Sequence, residues 1–288
     1  MNLQAQNLHS ELYNTMGYKE VDFKEVKFTK IRLKKNLWNL YTLNIVINDT
    51  NFKFLIDTAS QISIIRHKVK ANLEIESLKR NVKLKGFGGE NLITKAVVID
   101  KVKLGANLFN HVLFFMKEDS KLFKFLRIDG ILGWDFLSRL DFSIDDLNKN
   151  FTIYSESDLE RFELEPHSKL TVSRIPIIEA EVGNIVGIDL GANKSWVSKD
   201  SEIIENNPFI RKKRILSMGI NGINIDKKGY LKEHTITLSN LKIVSKKLAI
   251  SNTNFVHNVE IDLMMGTDTM RNKKITFLNS QGKLLISN

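Results

Sequence analysis

Two aspartates, each delivered by an apolar strand into a tight turn, are the side chains best placed to do chemistry. The first is Asp57, in Phe54-Leu55-Ile56-Asp57-Thr58-Ala59-Ser60. The second is Asp189, in Ile185-Val186-Gly187-Ile188-Asp189-Leu190-Gly191-Ala192, 132 residues further on. A strand that ends in an acid and a turn sets its carboxylate at the mouth of a cleft rather than in a solvated loop. Two carboxylates held side by side cannot both ionise, so one keeps a proton and polarises a carbonyl. The ionised partner takes a proton from an attacking water. That chemistry suits hydrolysis of an amide. Thr58, Ala59 and Ser60 on one side, with Leu190, Gly191 and Ala192 on the other, are the residues that would support the pair.

The elements around each aspartate repeat in the same order. From the aspartate to the first hairpin glycine is 29 residues in the first half (57 to 86) and 30 in the second (189 to 219). To the glycine after a short apolar run it is 76 (57 to 133) and 77 (189 to 266). Intervals this well matched imply an internal duplication. Gly86-Phe87-Gly88-Gly89 and Met218-Gly219-Ile220-Asn221 read as tips of two β-hairpins, since glycine permits positive φ and leaves no side chain to pack. Such tips could close over the aspartates and grip a substrate backbone as an added strand. Phe87 either covers substrate or simply packs. Asp129 and Asp262 stand four residues before the later glycine, and Asp135 and Asp268 two after it. These four acids read as structural, with Asp135 an N-cap for the short helix that follows.

Alternating strands begin near Val21 and carry the pattern predicted for an all-β protein. Residues 1–20 hold Leu3, Leu8, Leu12 and Met16 at a loose helical spacing, an arm expected to pack on the body. Residues 21–154 form a first lobe around Asp57, and 174–288 a second around Asp189. Between them, 155–173 is rich in Glu, Ser and Lys with Pro166 and reads as a linker. The net charge of +10 comes from lysines spread along the chain. The densest run, Arg211-Lys212-Lys213-Arg214, lacks interleaved aromatics, which argues for a solvated face rather than a nucleic-acid surface. With no cysteine there are no disulfides or thiolate sites. The six histidines show no i, i+4 pair, so no metal and no cofactor are expected. No run reaches a membrane span, and the N-terminus lacks the basic and apolar regions of a signal peptide; cytoplasmic residence is the expectation.

These residues resemble the aspartic proteases of the pepsin and retroviral type, above all the retropepsin-like branch. The likeness is carried by Phe54–Ser60, by the flap-like Gly86–Gly89, and by Ile131-Leu132-Gly133-Trp134-Asp135-Phe136-Leu137. It implies two pseudo-twofold-related β-barrel lobes with a cleft between them and short helices after the glycine-turn strands. It also implies an aspartic endopeptidase with Asp57 and Asp189 as its dyad, acting on a peptide or protein substrate that could be a dedicated precursor. Retroviral enzymes build the pair from two identical chains, whereas pepsins fuse two lobes; with both lobes in one chain, a monomer is expected here. One departure stands out beside the tolerated variant Asp-Thr-Ala. Asp-Leu-Gly replaces the usual Asp-Thr-Gly or Asp-Ser-Gly, and so removes one hydroxyl from the lattice that ties the lobes together in the family. A bilobal peptide binder with weakened or lost chemistry is therefore the alternative. Ser60 is expected to donate to the Asp57 carboxylate while Ala192 offers Asp189 nothing comparable, leaving the proton nearer Asp189.

Overall fold

Short β-branched and aromatic runs, separated by Asn, Asp and Gly turns, lay down one strand after another. The computed structural model describes residues 13–14, 23, 25–72, 81–85, 91–118, 121–180, 183–205, 213–219, 222–238, 241–252, 255–256 and 259–288. They are mostly β-strand, with a few short helices. Among them no helix is long and apolar enough to cross a membrane.

The Asp57 strand, Thr50–Ile56, is the second arm of a hairpin whose first arm is Tyr41–Ile47. Asn48 and Asp49 at the turn have φ of 46° and 61°, the left-handed pair that a two-residue hairpin needs. That turn fixes the register Ile47↔Thr50 and Thr42↔Leu55. Strand Gly130–Leu132 runs parallel to the Asp57 strand, with Leu132 opposite Ile56, and antiparallel to Ile64–Arg66 on its other side. The chain leaving Asp57 therefore loops round the end of a central strand before re-entering the sheet. The second half does the same. Leu263–Met265 lies parallel to Ile185–Ile188, with Met265 opposite Ile188, and antiparallel to Trp196–Ser198. After the central strand the first half forms a helical turn, Trp134–Leu137. In the second half the chain makes hydrogen-bonded turns, Thr269 N–H to Gly266 O and Met270 N–H to Thr267 O. Two β-branched threonines at that place disfavour a helix.

The halves meet in a common sheet. Strand Asp141–Asp145 pairs antiparallel with Lys274–Leu278, setting Asp141 opposite Leu278, Ser143 opposite Thr276 and Asp145 opposite Lys274. Each is the closing hairpin strand of its half. Equivalent positions here differ by 133, so Ser143 faces its own counterpart (143 to 276) and marks a local twofold axis. Phe142 and Phe277 stack across the junction with ring centroids 4.8 Å apart. Both belong to one continuous core that also holds Phe54, Phe114, Phe115 and Phe151.

The connecting stretch 155–173 is more ordered than a linker. It holds a 3-10 helix, Glu156–Phe162, and strand Ser168–Val172, which pairs with Lys283–Ser287 and with Pro176–Glu179. Leu159 and Phe162 anchor it in a small cluster with Tyr154, Leu278 and Leu285. Of the N-terminal arm, Tyr13 and Asn14 are described. Tyr13 is buried; its hydroxyl donates to His111 O at 2.7 Å and accepts Leu113 N–H at 2.8 Å.

Candidate active site

The two aspartate turns are built alike from backbone outward. Asp57 N–H donates to Leu132 O at 3.1 Å, and Asp189 N–H to Met265 O at 2.8 Å, so each central strand holds one aspartate by its main chain. Each turn then closes on itself: Ser60 N–H reaches Asp57 O, and Ala192 N–H reaches Asp189 O, both at 3.3 Å. Trp134 N–H to Ser60 O and Thr267 N–H to Ala192 O bring the glycine turn up behind. Both aspartates are partly buried.

Side chains from the two turns then meet. Thr58, fully buried, donates its hydroxyl to Ile188 O at 2.6 Å and accepts Leu190 N–H at 3.0 Å. A single hydroxyl thus joins the first turn to both sides of Asp189. Leu190 is equally buried but belongs to the apolar core. Gly191 records how close the approach is. A β-carbon added there would lie 2.3 Å from the Asp57 carboxyl carbon and 2.5 Å from both its oxygens. The Asp57 carboxyl therefore rests against the backbone two residues after Asp189. Ala59, the counterpart of Gly191, keeps its methyl and packs on the cluster of Ile175, Ile177, Ile261 and Met264.

Electrostatics distinguish the two acids, with the carboxyl of Asp189 raised further than that of Asp57. Asp57 Oδ1 accepts Ala59 N–H at 3.0 Å and Ser60 N–H at 2.9 Å; Asp189 Oδ1 accepts Gly191 N–H at 2.9 Å. Burial pushes both carboxyls above the ordinary range, while the turn N–H groups pull back. The charge of Asp57 raises Asp189 further. The expected role of the Ser60 side chain needs correction. Its hydroxyl donates to Ile62 O at 2.8 Å, away from the carboxylate, because the turn already supplies two main-chain donors to Asp57.

The other repeated acids are also placed. Asp129 Oδ2 accepts Lys53 N–H at 2.9 Å, and Asp262 Oδ2 accepts Ile185 N–H at 2.8 Å, at matched places on the two aspartate strands. Asp135 does not N-cap the helix; Gly133 occupies that position, without a side-chain cap. Instead Asp135 turns inward to Ser63, as Asp268 does to Ser195. Neither serine stands out in the sequence, since Ser63 hides inside the apolar run Ile62–Ile65. Its recurrence at Ser195, 132 residues on (63 to 195), was the available signal.

The glycine tip Gly86–Gly89, with Phe87 and Gly88, lies outside the described residues, as do Ile220 and Asn221. Their stems are described. Asn81–Lys85 pairs with Asn91–Ile99, ending at Lys85↔Asn91. Lys213–Gly219 pairs with Gly222–Lys228, with Met218 opposite Ile223 and Gly219 opposite Gly222.

Residues 43–139 match the family described as gag-polyprotein putative aspartyl protease. No curated protein matches the chain. Among solved structures, a retropepsin-like aspartic protease from Rickettsia conorii is similar at 19% identity, with a TM-score of 0.33, covering 47% of this chain and 95% of that one. The segment that carries Asp57, its turn and the central strand behind it is thus similar to retropepsin-like aspartic proteases.

Proposed function

We propose that this protein is an aspartic endopeptidase in which Asp57 and Asp189 share one proton and activate a water between them. The observation that carries this reading is the packing of the Asp57 carboxyl against Gly191, beside Asp189, with Thr58 bridging the two turns. The ionised aspartate takes a proton from water while the protonated one donates to the scissile carbonyl oxygen, and the roles reverse as the amine leaves. An extended peptide is the substrate class. It lies between the aspartates and the two glycine-bearing hairpins, which cover it and bind its main chain as an added strand. Both aspartates come from one chain, so a single copy suffices. The test is digestion of a randomised peptide library by wild type, Asp57→Asn and Asp189→Asn across several pH values. Cleavage by wild type that either substitution abolishes is the expected result; cleavage that survives both substitutions overturns the assignment.

Leu190 favours a second reading. Where the Thr58 side chain contributes a hydroxyl to the junction, the Leu190 side chain contributes only carbon. A cleft that binds peptide without cutting it fits that loss. Wild type that binds a statine-type peptide yet cleaves nothing at any pH would select this reading.

A further inference from the structure

Each aspartate turn is fastened from behind by a serine and a second carboxylate. In the first half the hydroxyl of Ser63 accepts Gly133 N–H at 3.0 Å and donates to Asp135 Oδ1 at 2.7 Å. The Ser63 N–H donates to Asp135 Oδ2 at 2.9 Å, and Asp135 Oδ1 also accepts Phe136 N–H at 2.9 Å. In the second half the hydroxyl of Ser195 accepts Gly266 N–H at 2.9 Å and donates to Asp268 Oδ1 at 2.7 Å, while Ser195 N–H reaches the same oxygen at 3.0 Å. Ser63 and Ser195 are buried, 0% and 1% exposed.

The position of these bonds matters more than their number. Ser63 stands where the chain returns from the Asp57 turn, and Gly133 lies between Leu132 and Trp134. Those two residues hold Asp57 N–H and Ser60 O respectively. The serine–carboxylate pair therefore locks the return of the turn to the strand that holds its aspartate. The turn N–H groups of Ala59 and Ser60, which face the Asp57 carboxylate, are aimed by that lock. A buried carboxylate is costly unless its oxygens are satisfied, and apolar packing would serve stability as well. Asp135 is buried and Asp268 partly so, and the serine–carboxylate contact recurs at matched places in both halves.

We infer that Ser63 with Asp135, and Ser195 with Asp268, are positioning pairs that aim the turn N–H groups at the two central aspartates. The inference rests on the reading of Asp57 and Asp189 as a working pair.

The experiment compares wild type with Ser63→Ala and Ser195→Ala, each of which removes one hydroxyl. Carbon NMR of labelled aspartate carboxyls follows the titration of Asp57 and Asp189, assigned with Asp57→Asn and Asp189→Asn. Thermal melting is recorded alongside, with kcat and KM on a cleaved peptide. The titration of the pair should move upward by about half a pKa unit or more as the N–H groups lose their aim. The kcat should fall by about tenfold or more with KM held within about twofold. An unchanged titration accompanied by a lower melting temperature overturns the inference and leaves the serines as ordinary core hydrogen bonds. Should wild type cleave no peptide, the proposed function fails, while the carboxyl titration still decides the positioning role. Ser195→Ala probes the half whose acid, Asp268, is only partly buried, and it decides alone if Ser63→Ala does not fold.

Discussion

From the first turn the Thr58 side chain sends a hydroxyl across to the second, whereas the Leu190 side chain is only carbon and packs in the apolar core. At the next position the asymmetry reverses its sense. Gly191 leaves room for the Asp57 carboxyl, while Ala59 fills the matching place with a methyl that packs on the second half. The main-chain bonds that hold the two aspartates are nevertheless matched one for one. Duplicated backbone thus fixes where the acids stand, and the side chains have specialised into a first turn that ties and a second turn that yields space.

The largest effect that could break this comparison belongs to the acids themselves. Asp57→Asn and Asp189→Asn should each lower peptide cleavage by about 10²–10⁴-fold, the usual worth of general acid–base help. Unequal losses measured in the same digestion assay would mean that the two acids do not share one task. Next comes space. Gly191→Ala should push the Asp57 carboxyl aside and lower kcat by about 10²-fold, since misplacement by about 1 Å costs that much. Ala59→Gly, at the matching place, should keep kcat near wild type; equal losses for the two variants would erase the distinction drawn between them. The tie follows. Thr58→Val should destabilise the fold by about 1–3 kcal/mol in urea melts, because Ile188 O and Leu190 N–H both lose a buried partner. Leu190→Val removes one methylene and should cost about 1 kcal/mol.

A further expected signal is a slope. The folded chain raises the carboxyls of Asp57 and Asp189 above their ordinary range, and burial pushes Asp135 up to about 7. Folded protein therefore holds protons that the unfolded chain has released. Stability should fall as pH rises from the ordinary carboxylate range toward these raised values, by at most about 1.4 kcal/mol per pH unit for each proton held. Melting temperature against pH checks this, and Asp189→Asn should flatten the curve; a stability that climbs with pH over that window would contradict the burial of these groups.

The repeat was legible because its markers are chemical: an acid after an apolar run, and glycines at intervals that agree within one residue. The same intervals placed the strands around Asp57 and Asp189. Side-chain direction was not legible. Ser60 has a hydroxyl three residues from an acid, yet the turn satisfies that acid with main-chain donors and frees the hydroxyl for Ile62 O. Asp135 follows a glycine by two, and that offset of two positions from the cap makes it an inward anchor instead. The junction of the halves was hidden for another reason. Pairing of Asp141–Asp145 with Lys274–Leu278 spans about half the chain, and no local pattern specifies such a partner.

That junction also bears on how the chain is made. Strand Asp141–Asp145 leaves the ribosome some 133 residues before its partner (141 to 274), an interval on the order of ten seconds at ordinary synthesis rates. Until then it is an open edge, and the nearest strand of suitable shape is the same strand on a neighbouring nascent chain. Two copies pairing antiparallel about Ser143 would set Asp141 against Asp145 twice, acid facing acid. The native partner instead offers Lys274 to Asp145 and Leu278 to Asp141. Like charges directly opposite weaken a sheet and opposite charges strengthen it. The two acids thus disfavour pairing of this edge with a second copy of the same strand and leave it to its native partner.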